Sequence, residues 1–294
     1  MMAKSHKTTL AAASGTFLLG GELSVNRLGF GAMRLTGKGI WGDPQDPKEA
    51  RAVLRKLRDF GINLIDTADS YGPEVSENLI AEVLYPYPSD LVIATKGGLT
   101  RQGPDQWAPV GRAEYLRQCV EMSLRRLKLD CIDLYQLHRF DAKVPMEESL
   151  DTLKAMQREG KIRFIGLSEV SVSEIEKAKK IVDIVSVQNL YNLSNRQSED
   201  VLNYCEKHKL AFIPWFPIAS GDLAHPGGKL DQFVKSKGAT SAQIALAWLL
   251  KRSPVILPIP GTSSVKHLEE NMAAASLELT AEDMRLLDAL QKKA

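Results

Sequence analysis

The chain has 294 residues, with 38 basic against 36 acidic side chains, a net charge of +2, and hydrophobic and charged shares of 44% and 25%. This is a globular composition, and its near-neutral balance gives no electrostatic reason to expect nucleic acid or an acidic membrane surface as partner. No apolar run approaches the roughly 20 residues that cross a bilayer. The three scattered cysteines, Cys119, Cys131 and Cys205, lack any CxxC spacing and fit reduced thiols in a cytoplasm.

In chain order, residues 1–14 carry Lys4, Lys7 and a short Ala11-Ala12-Ala13 stretch, too brief for a secretory core, and read as a flexible N-terminal tail. Residues 15–294 are expected to form a single domain. Gly20-Gly21 between two apolar stretches predicts a β-hairpin over 16–26. Strand and helix signals then alternate. Strands are expected at 27–31, 62–65, 91–95, 131–137, 162–167, 184–187, 210–215 and 255–257. Helices are expected at 47–60, 75–84, 112–127, 146–159, from the Ser171/Ser173 caps, and at 198–208, 241–250 and 265–274. Leu116, Val120, Leu124 and Leu127 keep helical spacing. A last helix, 281–292, follows the capping string Thr280-Ala281-Glu282-Asp283.

Eight strands that are apolar rather than alternating belong to a parallel sheet covered on both faces. Eight such units predict an α/β fold of the (β/α)8 TIM-barrel kind, with an N-terminal β-hairpin and an additional C-terminal helix. A doubly wound open sheet is the alternative. Against it, Gly29-Phe30-Gly31-Ala32-Met33-Arg34 puts arginine where the dinucleotide fingerprint needs its third glycine.

Asp66, Tyr71, Lys96 and His138 each lie just past an expected strand, where a parallel barrel gathers its catalytic groups. Singly, each has a plainer reading: a turn-forming aspartate, a packed tyrosine, a solvated loop lysine, a structural histidine. Together they suit protonation of a carbonyl oxygen that receives a hydride. A free phenol titrates near pH 10, so a nearby cation such as Lys96 is expected to lower the Tyr71 pKa. Asp66 would hold Lys96 protonated, and His138 would orient the carbonyl. Five histidines, with only His138 ending a strand, argue against a metal-dependent hydrolase.

The strings Asp66-Thr67-Ala68-x-x-Tyr71-Gly72, Thr95-Lys96-Gly97 and Leu134-Tyr135-x-Leu137-His138 resemble the aldo-keto reductase signature. The resemblance implies a barrel that uses NADPH without a Rossmann domain, Tyr71 as general acid, Asp66 and Lys96 tuning it, and His138 orienting a small carbonyl substrate. It further implies a cofactor site at Gly31, Met33, Ser168, Glu169, Gln188, Trp215, Pro217 and Ile218. Trp215 would stack on the nicotinamide, and Glu169 stands where the family usually has Asn. Phosphate would be gripped by Gly261, Thr262, Ser263, His267, Glu270 and Asn271, with backbone N–H groups of the Gly-Thr-Ser-Ser run at a helix start. Relatives often carry Lys or Arg there, so NADH use is also expected to be possible.

Gly29-Phe30-Gly31-Ala32-Met33-Arg34-Leu35 with Trp41-Gly42, and the run from Ala245 through Trp248 to Pro254, resemble bacterial pyridoxal reductases. This makes pyridoxal the sharpest substrate expectation, with Trp41, Trp107 and Arg139 bordering the substrate. A second reading is a nucleotide-binding redox sensor like the barrel subunits of potassium channels.

Overall fold

The computed structural model describes residues 10–218 and 229–290. The strands are β1 (Thr16–Leu19), β2 (Leu23–Asn26), β3 (Phe30–Gly31), β4 (Leu64–Asp66), β5 (Val92–Gly97), β6 (Leu99–Gly103), β7 (Gln106–Pro109), β8 (Ile132–Leu137), β9 (Ile162–Ser168), β10 (Ile184–Gln188) and β11 (Ala211–Phe212). The helices are α1 (Pro47–Lys56), α2 (Val75–Leu84), α3 (Ala113–Leu127), α4 (Met146–Arg158), α5 (Val172–Ala178), α6 (Glu199–His208), α7 (Lys229–Lys237), α8 (Ser241–Arg252), α9 (Val265–Ala273) and α10 (Ala281–Asp288).

Seven parallel strands run in the order β11-β10-β9-β8-β5-β4-β3. The eighth place is taken by residues 255–260. On one side Phe212 N–H donates to Val255 O (2.9 Å) and Leu257 N–H to Phe212 O (2.8 Å); on the other, Gly29 N–H donates to Pro258 O (3.0 Å) and Gly31 N–H to Pro260 O (3.3 Å). The sheet therefore closes on itself as the expected (β/α)8 barrel. Prolines at 258 and 260 supply no N–H, which keeps this strand to a single bridge, Phe212 with Ile256.

The expected β1–β2 hairpin closes one end. Leu19 and Val25 are buried in one cluster with Leu64, Val92, Leu134 and Leu257 from the barrel interior. The outer helices bury the stripes their spacing predicted: Leu116, Val120, Leu124 and Leu127 of α3 are all buried, each contributing about 2 kcal/mol of transfer free energy. Caps follow the sequence. Asp46 accepts from the N–H groups of Lys48 and Glu49 at the start of α1, with Pro47 in the first turn. Ser171, rather than Ser173, caps α5 in a full capping box with Glu174.

Several expectations shift. Residues 10–14, placed in the flexible tail, form a 3-10 helix with Ala11 fully buried, its N–H bonded to Phe60 O (2.9 Å); residues 1–9 lie outside the described residues. Helix α1 ends at Lys56 and α10 at Asp288, both earlier than expected. The first strand shortens to Phe30–Gly31 and the seventh to Ala211–Phe212. Two features were not expected: helix α7, and the antiparallel hairpin β6–β7, turning at Pro104-Asp105, which pairs Arg101 with Trp107.

Candidate active site

The β4–α2 loop is shaped by backbone bonds to the neighbouring strand. Thr67 N–H donates to Ala94 O (2.8 Å) and Asp69 N–H to Lys96 O (3.1 Å), so pairing with β5 continues past Asp66. Gly72 then turns the chain at φ +108°, and a Cβ there would sit 2.3 Å from Val75 Cβ. Only glycine fits both demands, and the turn leaves Tyr71 buried at the barrel mouth.

Alternation along β5 points Lys96 inward, while Thr95 and Gly97 face out. Lys96 is fully buried, and its Nζ donates to Asp66 Oδ1 (2.5 Å), Thr67 O (2.9 Å) and the Tyr71 hydroxyl (3.3 Å). The other Asp66 oxygen accepts from the side-chain amides of Gln136 and Gln188, both at 2.9 Å. Lys96 pairs in register with Gln136, and Gln136 with Gly166. A Cβ on Gly166 would fall 2.2 Å from Ser186 Oγ and 3.0 Å from Gln136 Cγ, so glycine there makes room for the amide that holds Asp66.

Burial pushes the Tyr71 pKa up, and Lys96 pulls it back only in part. The sequence expectation of a net lowering is thus corrected: desolvation of the phenolate outweighs the cation, and Tyr71 stays a protonated donor at neutral pH. Burial also pulls on Lys96, but the Asp66 carboxylate, with the Tyr71 hydroxyl beside it, outweighs that pull and holds the lysine above its usual range. Burial, with Lys96, Arg139 and Arg101 adding to it, drives His138 well below the ordinary histidine value, so its imidazole is neutral. Ser70 Oγ lies 3.4 Å from His138 Nδ1. A hydroxyl donating there leaves the ring proton on Nε2.

The Tyr71 and His138 rings meet edge to face with centroids 6.0 Å apart, and Trp107 contacts both at 6.5 and 6.2 Å. Trp107 is held by Arg101, whose guanidinium lies 3.6 Å from its ring centroid and 5.5 Å from that of Trp41. The same group donates to the carbonyls of Gly39, Ile40, Ser70, Gly103 and Gln106 at 2.7–3.2 Å. Arg101 therefore ties three loops around the mouth. Trp107 and Arg139 line the larger cleft, of about 1170 Å3, together with Tyr71, His138 and Ser168. Trp41 does not line it and lies behind Arg101.

A second cleft of about 360 Å3 is lined by Gly31, Met33, Gln188, Trp215, Pro217, Ile218 and Gly261, among others, and shares Tyr71 and Trp215 with the first. The polar groups where it meets the larger cleft suit a primary amide. The Gln188 NH2 is taken by Asp66 and Gln136, leaving Oε1 to accept, while the Ser168 hydroxyl, which accepts from Arg139, keeps its proton to donate. Glu169 does not join them. Held at φ +55°, it accepts from the Trp215 indole N–H (2.5 Å) and Leu190 N–H (2.7 Å), fixing the tryptophan ring. The residues present fit the nicotinamide half of a dinucleotide.

The phosphate end departs from expectation. Thr262 Oγ1 accepts from Ser264 N–H (3.1 Å), and the Val265 N–H at the start of α9 is taken by Glu49 Oε1 (2.8 Å). The Ser264 amide, one of those expected to cradle a phosphate, and the Val265 amide that follows it are therefore occupied by the chain itself. Gly261 and Ser263 line the clefts, whereas His267, Glu270 and Asn271 do not. Arg34 lines both clefts, is exposed, and brings its Cγ within 3.4 Å of a Gly261 Cβ position.

Sequence reasoning passed over Gln136, Ser70, Arg101 and Glu49. Gln136 is the unspecified position inside Leu134-Tyr135-x-Leu137-His138, and a polar residue in a buried strand was its only signal.

The sequence profile described as the Aldo/keto reductase family matches residues 27–292. An uncharacterized oxidoreductase of Schizosaccharomyces pombe is 55% identical over 95% of this chain and 90% of its own length. Pyridoxine 4-dehydrogenase of Escherichia coli K12 is 43% identical over 96% of this chain and 100% of its own. Among solved structures, an aldo-keto reductase from Klebsiella pneumoniae in complex with NADPH superposes with a TM-score of 0.80 at 26% identity, covering 94% of each chain.

Proposed function

The chain belongs to the aldo/keto reductase family, and on that premise we propose that it is an NADPH-dependent reductase of aldehydes and ketones, with Tyr71 as proton donor and pyridoxal, reduced to pyridoxine, as its leading substrate. The observation that carries the reading is the buried Lys96 ammonium, bonded at once to Asp66 and to the Tyr71 hydroxyl. A phenol that gives up its proton in a buried site leaves a phenolate, and Lys96 is positioned to stabilise that charge as it develops. Held by the residues that line the two clefts, NADPH would supply the hydride for the carbonyl carbon. Tyr71 passes its proton to the carbonyl oxygen and regains one from solvent after the alcohol forms. Neutral His138 donates a hydrogen bond to the same oxygen and fixes the direction of the carbonyl. Gln136 and Gln188 keep Asp66 in place, and Asp66 keeps Lys96 charged.

Ser168 and the Gln188 carbonyl oxygen would hold the carboxamide, and Trp215, braced by Glu169, would face the nicotinamide ring. The named activity of the Escherichia coli relative and the NADPH of the Klebsiella structure support substrate and cofactor alike. The free cysteines, without a disulfide among the described residues, support a cytoplasmic setting.

The test follows absorbance at 340 nm with NADPH and with NADH across neutral aliphatic and aromatic aldehydes and pyridoxal. Oxidation of NADPH with pyridoxal among the better substrates is the expected result. Tight NADPH binding without turnover of any carbonyl would contradict it and favour the sensor.

A further inference from the structure

Arg139 follows His138 directly at the end of β8 and has no role in the proton transfer described above. Its Nη1 donates to His138 O (2.5 Å) and Ser168 Oγ (2.9 Å). Its Nε and Nη2 make no hydrogen bond among the described residues, yet they are not sealed away. These two atoms form one edge of the guanidinium, the edge that presents parallel donors to a carboxylate. The side chain lines the larger cleft beside Tyr71, His138 and Trp107, and it is near enough to influence the titration of both Tyr71 and His138.

The charge around the reacting position is uneven. Lys96 is balanced by Asp66. Arg101 spends its donors on backbone carbonyls at the rim. Among the described residues Arg139 makes no ion pair; Glu169 acts on it through space only, with its Oε1 bonded to the neutral donors of Trp215 and Leu190. A partly buried guanidinium edge with no hydrogen-bonded counter-ion gains from a ligand that supplies one.

We propose that Arg139 is a specificity-determining residue: its Nε–H and Nη2–H edge binds an anionic oxygen, a carboxylate or an ionised phenol, that the substrate carries next to its reacting carbonyl. This rests on the reading of Tyr71 as donor to a carbonyl. The substrate class is then α-oxo acids and ortho-hydroxy aromatic aldehydes, preferred over neutral aldehydes of the same size. Trp107, edge-on to Tyr71 and His138, lines the same cleft and offers a flat ring an aromatic wall beside Arg139.

The test compares matched pairs with NADPH: glyoxylate against acetaldehyde, and 2-hydroxybenzaldehyde against benzaldehyde at about pH 9, where the phenol hydroxyl is ionised. The two pairs separate a carboxylate from a phenolate. Wild type is expected to favour the anionic member by about tenfold or more in kcat/KM, as a charged hydrogen bond implies. Arg139→Gln should bring the ratio to within about twofold, and Arg139→Lys should retain part of it because charge survives without the fork. Tryptophan fluorescence should likewise show benzoate binding more tightly than benzamide in wild type and equally in Arg139→Gln. An anionic preference that persists in Arg139→Gln, or is absent in wild type, overturns the proposal. So does a uniform loss on all four substrates with weakened NADPH binding, which would mean that Arg139 only braces Ser168. If wild type reduces none of the carbonyls, the reductase reading fails instead, and the benzoate and benzamide titrations still decide on Arg139.

Discussion

Strand β5 separates two buried polar clusters that have the same kinds of groups and opposite states. On its inner face, Lys96, Asp66, Tyr71, Gln136 and Gln188 bond one another, and the positive and negative charges cancel. On its outer face, under α2 and α3, lie Asp69, Glu77, Thr95, Cys119 and Tyr135. Glu77 is well held there, accepting from Thr95 Oγ1 (2.5 Å) and Arg126 Nε (2.6 Å). Asp69 Oδ1 and the Tyr135 hydroxyl, by contrast, are buried without a partner. Burial and the neighbouring Glu77 charge lift the Asp69 carboxyl to about 7. Gly97 lies between them, because a Cβ would fall 2.0 Å from the Tyr135 hydroxyl and 3.1 Å from Asp69 Oδ2. A low-dielectric site strengthens a complete network and penalises an incomplete one; the inner cluster is complete, and the outer one is not.

The sharpest way to break this comparison is to unbalance the inner cluster. Asp66→Asn leaves Lys96 charged and unpaired in the barrel, and two amide donors lose a carboxylate acceptor. A loss of about 3–5 kcal/mol in urea unfolding is expected. Adding Lys96→Met should recover part of that stability while leaving the protein inactive. If Asp66→Asn alone were as stable as wild type, the inner pair would not be the balanced charge it is described as.

Asp69→Asn tests the outer cluster with the opposite sign. A carboxyl whose folded pKa is raised from 3.8 to about 7 contributes its full stability below pH 4 and loses it as pH rises through 7. Wild type should therefore lose on the order of a few kcal/mol across that window from this group. Asp69→Asn should be the more stable protein at pH 8 and nearly equal at pH 4, by denaturant melts at both values. Equal stability at pH 8 would show that Asp69 ionises there without cost.

The smallest expected effect lies at the rim. Arg101→Lys keeps a cation but loses the five-carbonyl fork and the stacking on Trp107. KM for aromatic aldehydes should rise about tenfold, an effect of the size that a misplaced pocket wall produces, while NADPH affinity holds. Unchanged KM would mean that Trp107 keeps its place without the clamp.

The sequence was most legible where chemistry and backbone geometry coincide. The four proposed catalytic residues lie at or just past the ends of three neighbouring strands, β4, β5 and β8, and the barrel and its hairpin follow from apolar runs and turn residues. Gln136 was hidden because a polar residue inside a strand can face either side, and only register shows that it reaches Asp66. The β6–β7 hairpin has short, mixed strands with no apolar face, so its signal was too weak to find. The outer cluster is scattered over residues 69 to 135, and nothing local distinguishes a buried Asp69 from a turn aspartate. At the phosphate end, the Gly-Thr-Ser-Ser run reads as open donors. Yet Thr262 Oγ1 holds the Ser264 amide of that run, and Glu49, more than 200 residues earlier in the chain, holds the next one, Val265.

The central claim is that the inner cluster exists to make Tyr71 a proton donor. Its most direct test is Tyr71→Phe, which removes one hydroxyl and leaves the ring contacts with His138 and Trp107. Aldehyde reduction should fall by about three orders of magnitude, the scale of a lost general acid, while NADPH binding by fluorescence titration stays within a factor of about two. Turnover near the wild-type rate would contradict the account.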